Sequence, residues 1–410
     1  MASSSLLAPF QVRSFRFQYP ADLLTSWGTE METLILGWYI LAETGSVLLL
    51  TLFGSLQYFG TLVAPVFGMA GDRIGHRFVL CAMRTCYTAL ALLLMTLALT
   101  DTLRPLHVFI IAAVAGLVRP SDLAMRGALV AETMPPDRFV SAMGTSRTTS
   151  DSARTIGALA GAGLFAALGL GPAYAAISSF YAIGFLLTLG VGTPRRAASL
   201  IAHNSLWRDL REGLAYLWDT PSSLAALWLA FLVNMTAFPM TSGLLPYIAK
   251  DVYHVDQTGL GYLIASFAFG ALMGSILISV IGRSIRPARM MIVFAIAWYA
   301  MLLVFANMRD PLSGTLTLVC AGLAQSLSLV PMSALLLHGA GAYRGRVMGM
   351  RMLAIYGLPI GLLGAGALID RFGFALTASV YCIVGIALTL LIALHWRAAL
   401  WPLHAPANAR

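Results

Sequence analysis

Two rows of charged residues between positions 119 and 154 have the types and spacing to do chemistry. The first row is Arg119, Asp122 and Arg126, and the second is Arg147, Asp151 and Arg154. Spacings of three and four place each row on one face of an α-helix. A Met-Pro-Pro-Asp-Arg turn separates the rows, and their spacings mirror each other about it. An antiparallel helical hairpin would therefore set each charge level with a counterpart of the same type.

The remainder of the chain is strongly apolar. Of its 410 residues 59% are hydrophobic and 10% are charged, and the mean hydropathy is +0.81. This is the composition of a polytopic membrane protein, in which a spanning helix needs about 20 mostly apolar residues. Such runs predict twelve spans, at about 20–43, 47–70, 77–100, 106–133, 138–169, 173–192, 223–249, 257–282, 287–308, 313–337, 344–369 and 373–396. The predicted fold is an all-α membrane protein with two pseudo-symmetric six-helix bundles.

The basic residues predict the orientation of these spans. Sixteen of the 26 Lys and Arg residues fall in the loops on the side of the amino terminus, and four fall in the opposite loops. The positive-inside rule then places both termini in the cytoplasm of a multi-pass protein, most simply of a bacterial inner membrane. This distribution argues against nucleic-acid binding, despite a net charge of +9.

The charged rows are expensive at their predicted depth. Asp122 would lie about 16 Å above the helix end, at 1.5 Å per residue, close to the middle of the hydrocarbon core. A charge there costs roughly 2.5 to 3.5 kcal/mol on insertion scales, so the rows must face protein or water. Two interpretations stay open. The charges form a structural ion-pair network between the fourth and fifth spans, or Asp122 and Asp151 carry protons and a spare Arg binds an anionic group.

The first span contributes two more acids, Glu30 and Glu32. They lie about 200° apart around a helix, so at most one points into the bundle, and we favour Glu32. Burial disfavours the charged form of a carboxyl that has no fixed partner, which is the behaviour of a proton carrier. The alternative is a Glu32 that is hydrogen-bonded to a neighbouring helix.

A long polar segment divides the chain into predicted domains. Residues 1–192 and 223–410 would form the two bundles, joined by a cytoplasmic linker, 193–222, with an amphipathic helix marked by Leu206, Leu210 and Leu214. Gly161 and Gly364 belong to a weak internal repeat of the fifth and eleventh spans. Two duplicated bundles would place a substrate path near the bilayer midplane.

The segment GMAGDRIGHR, residues 68–77, resembles the signature loop of the major facilitator superfamily. The matching positions are Gly68, Asp72, Arg73, Gly75 and Arg77, while Ala70 and His76 depart from the usual residues. The resemblance implies a conformational latch in which Asp72 meets the eleventh helix and a basic residue of the loop meets Glu132. The WYILAETGS run of the first span is similar to that of drug and siderophore exporters of the superfamily.

The resemblance also implies a function and a set of cavity residues. The proton-coupling candidates are Glu32, Asp122 and Asp151, with Arg119, Arg126, Arg147 and Arg154 as their charge network. The substrate-binding candidates are Gln57, Asn234, Phe238, Tyr262, Gln325 and Arg351. We expect proton-coupled antiport, by alternating access, that exports a small amphipathic organic molecule. The alternative is an importer or exchanger of an organic anion held by arginines.

Other classes of function have little support in the sequence. It shows no metal-ligand spacing and no Ser or Cys nucleophile beside a base, so we predict neither an enzyme nor a metal or cofactor site. The four cysteines fall in apolar spans and are expected to pack there. The expected partners are a small-molecule substrate, protons and the lipid bilayer, and the protein is expected to be a monomer.

Overall fold

A computed structural model describes residues 8–192, 211, 215, 217–281, 286–337 and 344–401. Within these residues, each of the twelve predicted spans is helical, and we number the corresponding helices α1 to α12. The amphipathic linker helix predicted around Leu206, Leu210 and Leu214 lies outside the described residues.

The first six helices cover the chain up to residue 189. Five of them are α1 Arg13–Thr44, α2 Val47–Ile74, α3 His76–Leu99, α4 Pro105–Thr133 and α6 Leu170–Leu189. Helix α5 lies between α4 and α6. Helix α2 contains a 3₁₀ stretch at Phe59–Val63, and α5 consists of Pro136–Ser152, a π turn at Ala153–Gly157, and Ala158–Leu168. A short 3₁₀ helix, Ala8–Gln11, precedes α1.

The last six helices begin at Pro221. Helix α7 consists of Pro221–Thr236 followed by π turns at Pro239–Gly243 and Ile248–Val252. The others are α8 Gln257–Ile281, α9 Pro287–Asn307, α10 Pro311–Leu337, α11, formed by Arg344–Ala354 and Gly357–Phe372, and α12 Phe374–His395. Proline at the first helical position, as in α4, α7 and α9, costs no hydrogen bond because that N–H has no intrahelical partner.

Nine helices of the described chain are long and apolar enough to cross a membrane. The other three, α1, α5 and α7, do not meet this condition, and the reason can be identified for each. Helix α1 is long enough but carries Asp22, Glu30 and Glu32. A π turn interrupts α5, and the regular part of α7 ends at Thr236 after 16 residues. These helices are therefore less apolar or less regular, which is expected where helices carry function rather than only anchor the chain.

The chain packs into two compact units. The first comprises Met1–Leu200 and Pro246–Ala265, and the second comprises Ile201–Leu245 and Ser266–Arg410. The segment 246–265 therefore groups with the first unit, where Lys250 Nζ donates to the carbonyl of Leu41 at 3.2 Å. The predicted bundle boundaries at 192 and 223 stay predictions.

Helix α1 is the centre of the first unit, and glycines allow its closest contacts. A Cβ added to Gly161 of α5 would lie 2.9 Å from Cα of Met31, and one added to Gly157 would lie 3.3 Å from Cα of Trp27. Small residues permit this separation of backbones, as is common between membrane helices. The two helices run in the same direction, because higher positions on α5 meet higher positions on α1.

The second unit repeats this packing between α11 and α7. A Cβ added to Gly357 would lie 2.6 Å from the carbonyl oxygen of Phe231, and one added to Gly361 would collide with the carbonyl of Met235. Gly357 and Gly361 of α11 are thus four residues apart and meet another helix's backbone, as Gly157 and Gly161 of α5 do. At Gly364, the predicted partner of Gly161 in the repeat, an added Cβ would lie 2.8 Å from the hydroxyl of Tyr381. The register of the repeat stays a prediction.

Candidate functional site

The most buried charged pair of the described chain joins α1 to α3. Arg84 Nη2 donates to Oδ1 of Asp22, and the two side chains are 1% and 2% exposed. Arg84 Nη1 donates to the hydroxyl of Thr188 and, at 3.3 Å, to the carbonyl of Gly184, both on α6. This one guanidinium therefore ties three helices together.

A second guanidinium reaches the same carboxylate from α4. Arg126 Nε lies 3.6 Å from Asp22 Oδ1, and Arg126 Nη2 pairs with Oδ2 of Asp122, one turn earlier on its own helix. Arg126 Nη1 donates to Ser26 Oγ at 2.7 Å and to the carbonyl of Asp22 at 3.1 Å. Asp122 Oδ1 is buried without a hydrogen-bond partner in the described chain.

The third pair lies further along α1. Arg119 Nη2 pairs with Oε2 of Glu32, which also accepts a hydrogen bond from the hydroxyl of Tyr181 at 3.0 Å. Arg119 Nη1 donates to Oε1 of Gln57 at 3.0 Å and to Thr33 Oγ1 at 3.3 Å. The Glu32 side chain is 6% exposed and that of Arg119 is 12% exposed, so the pair is shielded but its guanidinium reaches the polar surface of α2.

Together these side chains form an electrically balanced network of three bases and three acids. Its members are Arg84, Arg119 and Arg126 with Asp22, Glu32 and Asp122. Balance matters here because a buried unpaired charge is far more costly than a buried pair. The expectation that Glu32 would be the inward-facing acid of α1 agrees with its burial. Of the two alternatives for its carboxyl, the structure shows the one that is bonded to neighbouring helices, through Arg119 and Tyr181.

The predicted pairing between the two charged rows is wrong. The row of α5 is largely exposed: Arg147 and Asp151 are 79% and 44% exposed and lie 3.9 Å apart, and Arg154 is exposed as well. Among the described residues no ion pair joins this row to the row of α4. Within the α4 row Arg126 pairs with Asp122, and acids of α1 pair with Arg119 and Arg126.

The reason is the position of α1, which contacts both helices of the hairpin. On one side, Tyr19 and Trp27 of α1 bond to Thr148 and Ser152 of α5, at 3.0 and 3.2 Å. On the other side, Ser26 of α1 accepts the hydrogen bond from Arg126 of α4. The spacing within the hairpin predicted the faces correctly but could not show that a third helix supplies the partners.

A second polar group lies beside this network and is more accessible. Glu30 is partly buried on α1, and the charges that act on it most strongly are those of Arg154 and Arg119. The same three charged groups act on Tyr58 of α2. Within the described ranges, neither Glu30 nor Arg154 makes a hydrogen bond or an ion pair. We call Glu30, Tyr58 and Arg154 the open cluster.

The predicted latch lies at the junction of α2 and α3. Gly75 ends α2 with a φ of +99°, a conformation that side-chain-bearing residues rarely adopt, so this glycine makes the turn. Gly68 has no such role in the described chain, because a Cβ there would meet nothing within 4 Å. The close approach occurs at Gly71, where an added Cβ would lie 2.7 Å from the His76 ring.

The basic residue that meets Glu132 is His76, one of the two departures from the family pattern. Its Nδ1 lies 2.6 Å from Glu132 Oε1, and its Nε2 lies 3.7 Å from Asp72 Oδ1. Arg77 instead donates to the carbonyl of Leu189 at 2.5 Å, and Arg73 is exposed. The imidazole is 10% exposed, so it occupies the place of the expected basic residue and links α2, α3 and α4.

Of the six substrate-binding candidates, Gln57 contacts the charge network, since its Oε1 accepts hydrogen bonds from Arg119 and Thr33. Tyr262 is 59% exposed and lies in the segment that groups with the first unit. The other four belong to the second unit. There, Asn234 bonds to the carbonyl of Ala230, Phe238 meets Trp298 edge-on, Gln325 is buried, and Arg351 is partly buried. The described part of the chain holds no group of three His, Cys, Asp or Glu that could bind a metal ion.

Sequence reasoning missed Asp22 and Tyr181, and it recognised Arg84 only as one of six basic residues inside predicted spans, without a role. Asp22 lies within a predicted span as well, and a count of acids in those spans would have found it. Such a count gives Asp22, Glu30 and Glu32 in the first span alone. Tyr181 carries no signal in the sequence, because its role depends only on the packing of α6 against α1.

The family profile of the Major Facilitator Superfamily matches residues 20–362, and the chain belongs to this family of membrane transporters. No curated protein is matched by sequence. Solved structures show the fold. A bacterial homolog of the human lysosomal transporter Spinster, inward-facing and unoccupied, has a TM-score of 0.73 at 12% identity, over 95% of this chain and 97% of that one.

Two other solved structures are similar at the same level. A mutant form of the nucleoside transporter NupG has a TM-score of 0.71 at 14% identity, over 94% of this chain and 99% of that one. The human organic anion transporter MFSD10 has a TM-score of 0.64 at 15% identity, over 93% of this chain and 99% of that one. At these identities the likeness shows the fold alone. The family match makes this protein a multi-pass, all-α secondary transporter.

Proposed function

We propose that this transporter is a proton-driven antiporter that exports a small amphipathic organic molecule. The observation that carries the proposal is the buried pair of Glu32 and Arg119, held by Tyr181, Gln57 and Thr33. Glu32 lies about 18 Å before the end of α1, at about 1.5 Å per residue, so it is near mid-membrane depth. The proposal also states that both termini lie in the cytoplasm, that the protein is a monomer, and that it is related to the drug and siderophore exporters of the superfamily.

A proton on Glu32 would change the electrostatics of the whole network. The neutral carboxyl no longer balances Arg119, whose remaining partners Gln57 and Thr33 are uncharged. Leaving one partner of a buried pair uncompensated costs several kcal/mol. This cost favours a rearrangement that brings Arg119 to water or to another anion. Protonation is thereby linked to a conformational change, which is what coupled transport requires.

The other two candidate carboxylates rank below Glu32. Asp122 is the second, since its Oδ2 pairs with Arg126 while its buried Oδ1 has no partner among the residues described. Asp151 is the third, because it is 44% exposed and lies 3.9 Å from Arg147 on its own helix. An exposed carboxylate gains and loses a proton without much effect on its surroundings, so it is poorly suited to drive a conformational change.

The proposal places the amphipathic substrate against aromatic as well as polar side chains. Phe238 and Trp298 meet edge-on at a centroid distance of 5.2 Å, just before the π turn at Pro239–Gly243. Three further substrate-binding candidates belong to the same unit as Phe238: Asn234, Gln325 and Arg351. Tyr262 is an exposed candidate of the first unit. The nucleoside and organic anion transporters named above carry organic molecules by their descriptions, in keeping with a substrate of this kind.

Everted membrane vesicles that contain the full chain would test the coupling. With an imposed pH gradient, a panel of amphipathic amines, acids and zwitterions is added, and proton release is followed with acridine orange. We expect Glu32→Gln to reduce compound-dependent proton release by at least about tenfold, equivalent to about 1.4 kcal/mol. Asp122→Asn should reduce it less.

The matched control is Glu43→Gln, which changes the same residue type at an exposed position near the carboxyl end of α1. It should leave proton release unchanged. If Glu32→Gln and Asp122→Asn both keep full proton coupling, the assignment of these carboxylates is wrong.

The second candidate function is import or exchange of an organic anion. The observation that favours it is Arg154, which is exposed and makes no ion pair within the described chain. Under this function, Arg154→Gln and Arg351→Gln should abolish anion uptake, whereas Glu32→Gln should leave it intact. Uptake of a radiolabelled organic acid into proteoliposomes separates the two functions.

A further inference from the structure

One hydrogen-bond donor beside the Glu32–Arg119 pair has no protein partner. Gln57 of α2 accepts a hydrogen bond from Arg119 Nη1 through its Oε1, at 3.0 Å, and this leaves the Nε2 group of the amide unused. Gln57 is half-buried, and Nε2 is neither bonded nor sealed from accessible space by any described residue. No residue of the described chain uses these two N–H groups, so they are available to a ligand.

The orientation of the Gln57 amide follows from the chemistry of its partner. A guanidinium has donors and no acceptor, so the amide atom that faces Arg119 is the oxygen. The hydroxyl of Thr33 on α1 lies 3.1 Å from the same oxygen. The nitrogen occupies the other side of the planar amide. Nε2 is therefore held pointing away from Arg119 and Thr33.

The backbones of α2 and α4 meet at Gln57. A Cβ added to Gly116 of α4 would collide with the carbonyl oxygen of Leu56 and would lie 3.1 Å from Cα of Gln57. Small residues allow this approach between membrane helices. Arg119 lies one turn beyond Gly116, and helical side chains lean toward the amino end of their helix, so its guanidinium leans back toward Gln57. The bond between Arg119 and Gln57 thus spans two helices that a backbone contact holds in place.

Gln57 lies at the depth of the proposed proton site. It is about 15 Å from the start of α2, at 1.5 Å per residue, and α2 starts directly after the end of α1. Glu32 lies about 18 Å before that end of α1. Arg119 bonds to both residues, because its Nη2 pairs with Glu32 and its Nη1 donates to Gln57. One guanidinium therefore connects the buried carboxylate to the unused amide donor.

We propose that Gln57 recognises a hydrogen-bond acceptor of the substrate, a carbonyl oxygen or its equivalent, through Nε2, and that Arg119 makes this recognition depend on the charge of Glu32. The inference rests on the proposed antiport and names a group that the amphipathic substrate carries. A fixed donor discriminates against an analogue that lacks the acceptor, because the donor is then left unpaired.

The connection through Arg119 gives the direction of the coupling. While Glu32 is charged, Arg119 is held between Glu32 and Gln57, and the amide presents its donors. When Glu32 takes up a proton, Arg119 loses its ionic partner and moves away, and the Gln57 amide loses the bond that orients it. Proton uptake thereby weakens the binding of the substrate, which is the exchange that an antiporter performs.

Two neutral probes that differ by one carbonyl group test the recognition. N-phenylpyrrolidinone has the acceptor, and N-phenylpyrrolidine lacks it. Each is titrated into the purified full-length protein in detergent, and binding is read from the thermal unfolding midpoint. We expect the carbonyl probe to bind at least about tenfold more tightly, a difference of about 1.4 kcal/mol. Equal affinities, or no binding of either probe, would overturn the proposal.

Variants of Gln57 separate recognition from a structural role. Gln57→Glu keeps an oxygen for Arg119 but has no N–H group, and Gln57→Met is of similar length and has neither. Both variants should bind the two probes equally, and their ligand-free unfolding midpoints show that they are folded. Gln11→Glu makes the same change at an exposed position and should keep the wild-type preference. If Gln57→Glu also keeps it, Gln57 only holds Arg119 in place and the proposal is wrong.

Glu32→Gln tests the dependence on the proton site. It replaces the carboxylate by a neutral group, as a proton does, and should lose the preference for the carbonyl probe. A full preference in this variant would overturn the link through Arg119. The binding test is independent of proton flux. Absence of the preference in a wild type whose proton release depends on Glu32 would refute only this inference, whereas a preference without proton coupling would refute only the antiport proposal.

Discussion

Arg84 on α3 donates a hydrogen bond to the carboxylate of Asp22 on α1, and both side chains are almost fully buried. Arg126 on α4 approaches the same carboxylate at 3.6 Å. Asp22 thereby compensates two cations from two helices. This places the electrostatic centre of the first unit on α1, in a residue type that apolar spans rarely contain.

Asp22 should be the most sensitive charged position for stability. Asp22→Ala leaves Arg84 and Arg126 buried with one acid fewer, and loss of one partner from a buried pair costs about 3 to 5 kcal/mol. We expect a clearly lower thermal unfolding midpoint in detergent, measured by intrinsic Trp fluorescence. Asp151→Ala, at a 44% exposed acid on α5, should change the midpoint little. Equal midpoints for the two variants would contradict the assignment of Asp22 as the centre of the network.

Tyr181 should adjust the proton-coupling pair without removing it. Tyr181→Phe deletes the hydroxyl that donates to Glu32 at 3.0 Å but leaves Arg119 in place. Loss of one hydrogen bond to a charged group is worth about 1.5 to 3 kcal/mol. Compound-dependent proton release should therefore fall by about tenfold without being abolished, because the pair of Glu32 and Arg119 loses one of its fixed donors. Acridine orange measurements in everted vesicles at one pH measure this change, and wild-type release would show that Tyr181 does not act on the coupling pair.

The α1–α5 interface should tolerate no side chain at Gly161. Gly161→Val places methyl groups where a Cβ already lies 2.9 Å from Met31 Cα, and overpacking of this kind costs about 1 to 3 kcal/mol. Gly163→Val, two residues further on, provides the matched control, since a Cβ there meets nothing within 4 Å. The unfolding midpoint should fall for Gly161→Val alone. A similar fall in both variants would mean that helix propensity or lipid contact, and not this interface, decides the result.

The His76–Glu132 contact should control the rate of conformational exchange. Glu132→Ala removes the acceptor that lies 2.6 Å from His76 Nδ1. Because Glu132 is 37% exposed, we expect the conformation that holds this contact to lose only about 1 kcal/mol relative to the other conformation, which is about fivefold in the equilibrium constant between them. Transport in vesicles should change by about this factor, and the thermal unfolding midpoint should stay unchanged. His76→Arg keeps a donor for Glu132 and should stay close to wild type. If His76→Arg is as defective as Glu132→Ala, the imidazole is doing something other than pairing with that carboxylate.

Much of the fold could be predicted because it depends on local signals. The twelve spans follow from apolar length, and the helix starts at Pro105, Pro221 and Pro287 follow from proline chemistry. The turn at Gly75 follows from the signature loop. The interruption of α7 has a local signal in Pro239, where its first π turn begins. The π turn of α5 at Ala153–Gly157 contains no proline and could not be predicted from its own residues.

The candidate site was predictable in part for the same reason. Burial of Arg119, Asp122 and Arg126 follows from the cost of a charge in hydrocarbon. The predicted pairing of these residues with the charged row of α5 was wrong, because α1 contacts both α4 and α5. The charged row of α5 shows the same limit: its residues Arg147, Asp151 and Arg154 have the helical spacing of the α4 row, yet they are largely exposed.

The sequence by itself determined how many times this chain crosses the membrane, to which family it belongs, and that its intramembrane charges must avoid lipid. These properties depend on residue types and on spacing along one helix. Only the tertiary structure decided which acid balances which base: Asp22 with Arg84 and Arg126, and Glu32 with Arg119. The physical reason is that Coulombic compensation acts between neighbouring helices, and contacts between helices, such as that of Gly161 on α5 with Met31 on α1, decide which helices are neighbours.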